Sequence, residues 1–118
     1  MGKRKYRGEM YASELEAEMA QILDRNKIPF EPHLMVDVGN GHEKEIDFYL
    51  HRQVRPVWSY KPIRAIEVKG WLSPSDYQRM QLLKKAGYDT FIATPAVVNY
   101  WNAYGFINDD DDGLGQEI

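Results

Sequence analysis

Asp47, Glu67 and Lys69 are the residues whose types and spacing could do chemistry together. In Ala65-Ile66-Glu67-Val68-Lys69-Gly70 the side chains of an extended strand alternate. Glu67 and Lys69 then share one face, while Ile66 and Val68 bury on the other. A carboxylate and an ammonium on one face of a core-like strand fit two readings: an ion pair on an exposed sheet surface, or a reactive centre. Asp47 adds weight to the second. It lies in Glu45-Ile46-Asp47-Phe48-Tyr49-Leu50, where Ile46, Phe48 and Leu50 are expected to face the core and Asp47 to face away, on a strand beside 63–69. Two hard carboxylates brought together suit Mg²⁺, which takes oxygen ligands and keeps several waters for a phosphate substrate. Lys69 beside them could hold an attacking water or offset charge on a pentavalent phosphate. The alternative for Asp47 is a solvated strand residue that needs no partner.

Glu16 is a third acid within reach of such a site. Ser13-Glu14-Leu15-Glu16 is also a capping-box pattern, with Ser13 at the N-cap and Glu16 at the third helical position, and the two roles are compatible. His33, His42 and His51 fall on a strand, a hairpin tip and a strand end, without the spacing of a zinc site. Arg52, Arg55, Lys61 and Arg64 mix with Trp58 and Tyr60 around a central loop. That mixture suits phosphates and stacked bases, and it equally suits an ordinary surface loop.

These residues need a scaffold, and its elements are legible in order. Ser13 opens a helix in which Leu15, Met19, Ile22 and Leu23 recur at helical spacing. It ends near Asn26-Lys27, ahead of Pro29 and Pro32. Residues 30–38 and 43–51 read as strands joined by the Gly39-Asn40-Gly41 turn. Residues 52–62 read as a loop, and Ile63 to Lys69 as a third strand. Ser73, Pro74 and Asp76 open a second helix, with Tyr77, Met80, Leu82 and Leu83 expected on its buried side and Gly87 as its stop. Asp89 to Thr94 reads as a fourth strand, and Val97 to Tyr104 as a short helix turning Val98 and Trp101 inward. The fold class is α/β: a mixed central β-sheet flanked by helices, with a parallel pair and right-handed crossover at its end.

The 118 residues suit one domain, expected over 11–107 between a basic arm (1–10) and an acidic tail (108–118). The net charge of −3 comes from that tail. Without Asp109, Asp110, Asp111, Asp112 and Glu117, thirteen acids stand against fifteen Lys and Arg. The tail reads as solvated and disordered, and the near-neutral body can bind nucleic acid locally. The absence of cysteine excludes disulfides, thiolate metal sites and cysteine nucleophiles, and fits a reducing cytoplasm. No apolar run reaches the roughly 18 residues of a membrane span, and the basic N-terminus lacks the apolar stretch of a secretory signal.

Taken together, Ser-Glu-Leu-Glu at 13–16, Ile-Asp-Phe at 46–48 and Ile-Glu-Val-Lys-Gly at 66–70 resemble the motifs of the PD-(D/E)XK nuclease superfamily, in order and on the right elements. Over about residues 11–95 the spacing is similar to the phage endonuclease I type of junction-resolving enzyme. One departure is Ile46, which stands where the family's nominal proline would be. The resemblance implies a restriction-endonuclease-like fold and Mg²⁺-dependent DNA cleavage, with Mn²⁺ as substitute. It implies that Asp47, Glu67 and the Val68 backbone carbonyl ligate the metal, that Lys69 positions or activates water, and that Glu16 completes the site. Two other functions stay open. One is a non-catalytic module of the same fold that binds nucleic acid or protein. The other is a nuclease subunit dependent on a targeting partner or on a homodimer, since a chain this small has little surface left to read DNA.

Overall fold

The structure, a computed structural model, describes residues 4–108. Helix α1 (Glu14–Arg25) starts where Ser13 accepts the Glu16 N–H on its hydroxyl, and it buries Ala17, Met19, Ala20, Ile22 and Leu23. Strands β3 (Phe30–Gly39) and β4 (His42–Val54) form the expected hairpin, turned by Asn40 and Gly41, both at positive φ. Strand β5 (Ile63–Val68) runs antiparallel to β4, and β6 (Thr90–Ala93) parallel to β5, so the four-stranded sheet has the order β3-β4-β5-β6. Helix α2 (Pro74–Lys85) makes the crossover between the parallel strands, and α3 (Pro95–Tyr104) follows β6 directly. Among the described residues no helix is long and apolar enough to cross a membrane.

The sheet separates two apolar clusters. The larger packs Met19, Ile22 and Leu23 of α1 and Val98 and Trp101 of α3 against Phe48, Leu50, Ile66 and Val68. The smaller joins Leu83 of α2 to Val36, Ile46 and Ala65. The mixed α/β architecture, with helices on the sheet, is therefore as expected, and so is the inward turn of Val98 and Trp101.

Four expectations need correction. Part of the N-terminal arm is a small hairpin, β1 (Lys5–Tyr6) with β2 (Glu9–Met10), turned by Arg7 and Gly8, which both have positive φ. Strand β4 continues to Val54, shortening the 52–62 loop. Of the expected buried side of α2 only Leu83 is buried, while Tyr77 and Leu82 face solvent, because the sheet under α2 offers only a small apolar patch. Ile46 does not share a cluster with Phe48 and Leu50 but packs on the α2 side. Between the pairs Pro32↔Phe48 and Leu34↔Ile46 stands His33 at φ 55, a left-handed residue that interrupts the regular alternation of the hairpin.

The tail boundary also moves. Phe106 is buried, Ile107 bridges to Pro56, and the Asn108 N–H donates to the Arg55 carbonyl at 3.1 Å. Asn108 thus belongs to the body, and the acidic tail from Asp109 lies outside the described residues.

Candidate active site

The β4–β5 ladder pairs Tyr49 with Ala65 and Phe48 with Ile66. The ladder ends there, and Asp47 and Glu67 are the next residues on the two strands, near enough for the Glu67 charge to act on the Asp47 carboxyl. Here the Val68 N–H donates to the Asp47 carboxylate, 3.0 Å to Oδ2. Strand β5 meanwhile continues along β6, pairing Glu67 with Ile92 and Val68 with Ala93, and the Lys69 N–H reaches the Ala93 carbonyl at 3.1 Å. Glu67 is held by its strand, and Asp47 by a side-chain bond to that strand's end. Both are buried, at 8% and 2% exposure for Asp47 and Glu67.

Glu16 approaches from the start of α1 and is also buried. Its carboxylate does not close the expected capping box onto Ser13. Its Oε1 instead accepts the Ala12 N–H at 3.4 Å and lies 3.5 Å from His33 Nε2. The other ring nitrogen of His33 is 3.2 Å from Glu9 Oε2. The left-handed turn at His33 thus places its ring between two acids, edge-on to Tyr11.

On the other side stand the cations. Arg79 Nη2 lies 2.7 Å from Glu67 Oε2 and 3.5 Å from Asp76 Oδ1, and its Nη1 donates to the Glu45 carbonyl. Lys69 Nζ is 3.3 Å from Asp76 Oδ1. Asp76 also completes a capping box with Ser73, and the Ser73 N–H and hydroxyl, then Lys69, hold its carboxyl well below the usual range. Lys69 is therefore on the Glu67 side, braced by an acid at the start of α2.

Burial pushes the Asp47 carboxyl up to about 8, reinforced by the charges of Glu67 and Glu16 and opposed by the Val68 N–H. Burial also raises Glu67, against the pull of Arg79 and Lys69. Glu67 Oε1 is buried with no hydrogen-bond partner among the described residues. A hard cation suits this arrangement, since it would satisfy that oxygen and favour ionised Asp47. Among the described residues no three His, Asp or Glu form a complete metal-ligand group. Mg²⁺ does not need one, because it commonly takes one or two carboxylates and completes its shell with water. Asp47 and Glu67 are the residues that would hold it. The Val68 main chain lies beside them through its bond to Asp47.

Proton linkage gives a direct check. At pH 7 Asp47 is mostly protonated when no cation is bound, so saturating Mg²⁺ is expected to release nearly one proton per chain, and at pH 9 almost none. Calorimetry in two buffers of different ionisation enthalpy counts those protons. Equal, near-zero release at both pH values would place the cation elsewhere.

Sequence reasoning missed Arg79 and His33. The spacing Asp76-x-x-Arg79 puts both residues on one helix face, which was the available signal for Arg79. The spacing of His33 in the sequence bears only on a zinc site, and nothing local marks its contact with Glu16. The basic set does not converge on the acids. Arg64 donates to the His51 carbonyl at 2.9 Å and lies over the Tyr49 ring, Lys61 pairs with Asp89, and Arg55 accepts from Asn108 through its carbonyl. Arg52 is exposed.

Comparison of the chain with protein-family models, with curated proteins and with solved structures finds no match.

Proposed function

We propose that the chain is a metal-dependent DNA endonuclease of the restriction-endonuclease-like class, as its resemblance to PD-(D/E)XK enzymes implies. One observation carries the reading. Two buried carboxylates lie near each other at the end of the β4–β5 ladder, with a third acid beside them and, among the described residues, no hydrogen-bond partner for one Glu67 oxygen. Such a cluster is costly unless a cation neutralises it. Mg²⁺ or Mn²⁺ bound there supplies Lewis acidity toward water and phosphate oxygen. Lys69, paired with Asp76 at 3.3 Å, would orient the nucleophile and offset charge on the phosphate. Glu16 adds negative charge on the α1 side, where it can hold a water or complete the cation's shell.

The test is a panel of branched, linear duplex and single-stranded DNA, incubated with the purified protein with and without Mg²⁺. Cleavage of at least one substrate only with the metal is expected. Binding without cleavage by any divalent metal would favour the rival, a non-catalytic module. One contact supports that rival: Arg79 already gives Glu67 a counter-ion at 2.7 Å, as a purely structural ion pair would. A dependence on a targeting partner or on a homodimer would appear as cleavage restored by adding that partner, or as cleavage rising with the square of protein concentration.

Glu16→Gln separates structure from chemistry. Glutamine can still accept the Ala12 N–H, and the Ser13 cap is untouched. Cleavage is expected to fall about tenfold or more, worth ~1.4 kcal/mol, while the thermal midpoint stays within a few degrees. Full activity would leave Glu16 with a structural role alone.

A further inference from the structure

Arg79 makes more contacts than a single ion pair needs. Its Nη2 lies 2.7 Å from Glu67 Oε2 and 3.5 Å from Asp76 Oδ1, and its Nη1 donates to the Glu45 carbonyl at 3.1 Å. The guanidinium thus ties α2 to the end of β5 and to β4 just before Asp47. Its side chain is only 18% exposed, on a helix most of whose residues face solvent. Asp76 is itself fixed: its carboxylate accepts the Ser73 N–H at 2.8 Å, and its Oδ1 faces both Arg79 and Lys69. A planar fork held at both terminal nitrogens has little freedom to turn.

The consequence falls on Glu67. An arginine and a carboxylate that pair only for structure are frequently bidentate, with both oxygens engaged. Here the fork is divided between Glu67 and the Glu45 carbonyl, so Arg79 takes Oε2 alone. The other oxygen, Oε1, is buried and has no hydrogen-bond partner among the described residues. A buried carboxylate oxygen left in that state is costly. It is also what a metal ligand presents when an outer partner holds its second oxygen.

We propose that Arg79 is a positioning residue that holds Glu67 by Oε2, presents Oε1 alone to the cation, and so sets the preference of the site for Mg²⁺ over Ca²⁺. The inference rests on the metal-dependent reading above and deepens it. Mg²⁺ demands short bonds in near-ideal octahedral geometry, which single carboxylate oxygens and waters supply. Ca²⁺ takes more oxygens at longer distance, in a flexible shell that accepts both oxygens of one carboxylate. With Oε2 engaged by Arg79, Glu67 cannot offer both. Released from Arg79, it can.

The test is calorimetric titration of the full chain with MgCl₂ and with CaCl₂, without DNA, and the readout is the ratio of the two affinities. Removing a nearby positive charge acts alike on two divalent ions, so the ratio isolates the positioning from the charge. Arg79→Met should shift the ratio toward Ca²⁺ by about tenfold or more. Arg79→Lys, which can still donate to Oε2, should restore most of the parent's ratio. A second measurement needs no variant: in crystals of the parent soaked in Mn²⁺, Arg79 should remain on Oε2 while Oε1 alone meets the metal. An unchanged ratio in folded Arg79→Met, or a cation that takes both Glu67 oxygens with Arg79 displaced, overturns this proposal and leaves the nuclease reading standing. No Mg²⁺ binding by the parent, or binding that Asp47→Ala leaves unchanged, sinks the metal site of that reading and this proposal with it.

Discussion

Alanine at Asp47 or at Glu67 is expected to lower metal-dependent DNA cleavage by at least about a thousandfold, the equivalent of ~4 kcal/mol. Each variant removes a carboxylate that would hold the cation, so calorimetry should also show weaker Mg²⁺ or Mn²⁺ binding. Lys69→Ala should lose about a hundredfold or more in turnover yet keep its metal, because an ammonium is no ligand and acts on the phosphate instead. DNA binding should survive in all three, and tighten in the acid variants, since a carboxylate that repels phosphate is gone. Glu67→Ala carries one complication. It frees Arg79, which then retains only Asp76 and the Glu45 carbonyl. Arg79→Ala is therefore the necessary companion: if Glu67 serves only to pair with Arg79, both variants should lose stability equally and neither should alter metal binding.

The second large effect has the opposite sign for stability. Asp47→Asn should raise the thermal midpoint of the metal-free protein while abolishing cleavage. The Asp47 carboxyl is pushed up to about 8, chiefly by burial, so ionising it costs the folded state more than the unfolded chain. The stability associated with protonated Asp47 is fully present below the ordinary carboxylate pKa and is lost as pH rises toward about 8. Asparagine avoids that loss and can still accept the Val68 N–H. The gain should be near zero at pH 4 and grow as pH rises to 8–9, each kcal/mol of it raising the midpoint of a domain of this size by about 4–8 °C. Saturating Mg²⁺ should narrow the gap by stabilising the parent alone. Calorimetric melting at several pH values decides it. An Asp47→Asn variant that melts below the parent at alkaline pH would mean that ionised Asp47 stabilises the fold.

How far the sequence discloses this arrangement depends on the residue. Strand alternation and the Gly39-Asn40-Gly41 turn place Asp47 and Glu67 on neighbouring strands, because both are local signals. The helix starts at Ser13 and Ser73 are legible for the same reason. What escapes is non-local. Tyr6-Arg7-Gly8-Glu9 reads as a basic arm, yet Arg7 takes a left-handed turn usually left to Asn or Gly. Ile46 joins the α2 cluster where left-handed His33 stands on the neighbouring strand, and no pattern of apolar residues announces that break in alternation. Arg79 reaches Glu67 only through the packing of α2 on the sheet, and Trp58 meets Tyr100 across forty residues of chain. The acids of the site are thus readable, and the groups that balance their charge are not.

Diffraction from crystals soaked in Mn²⁺, with an anomalous difference map, tests the central claim most directly. The expected result is a peak bound by Asp47 and Glu67, with Glu67 Oε1 among its ligands. A fully occupied Mn²⁺ site elsewhere, with Glu67 still paired to Arg79 and Asp47 still bonded only to the Val68 N–H, would contradict it.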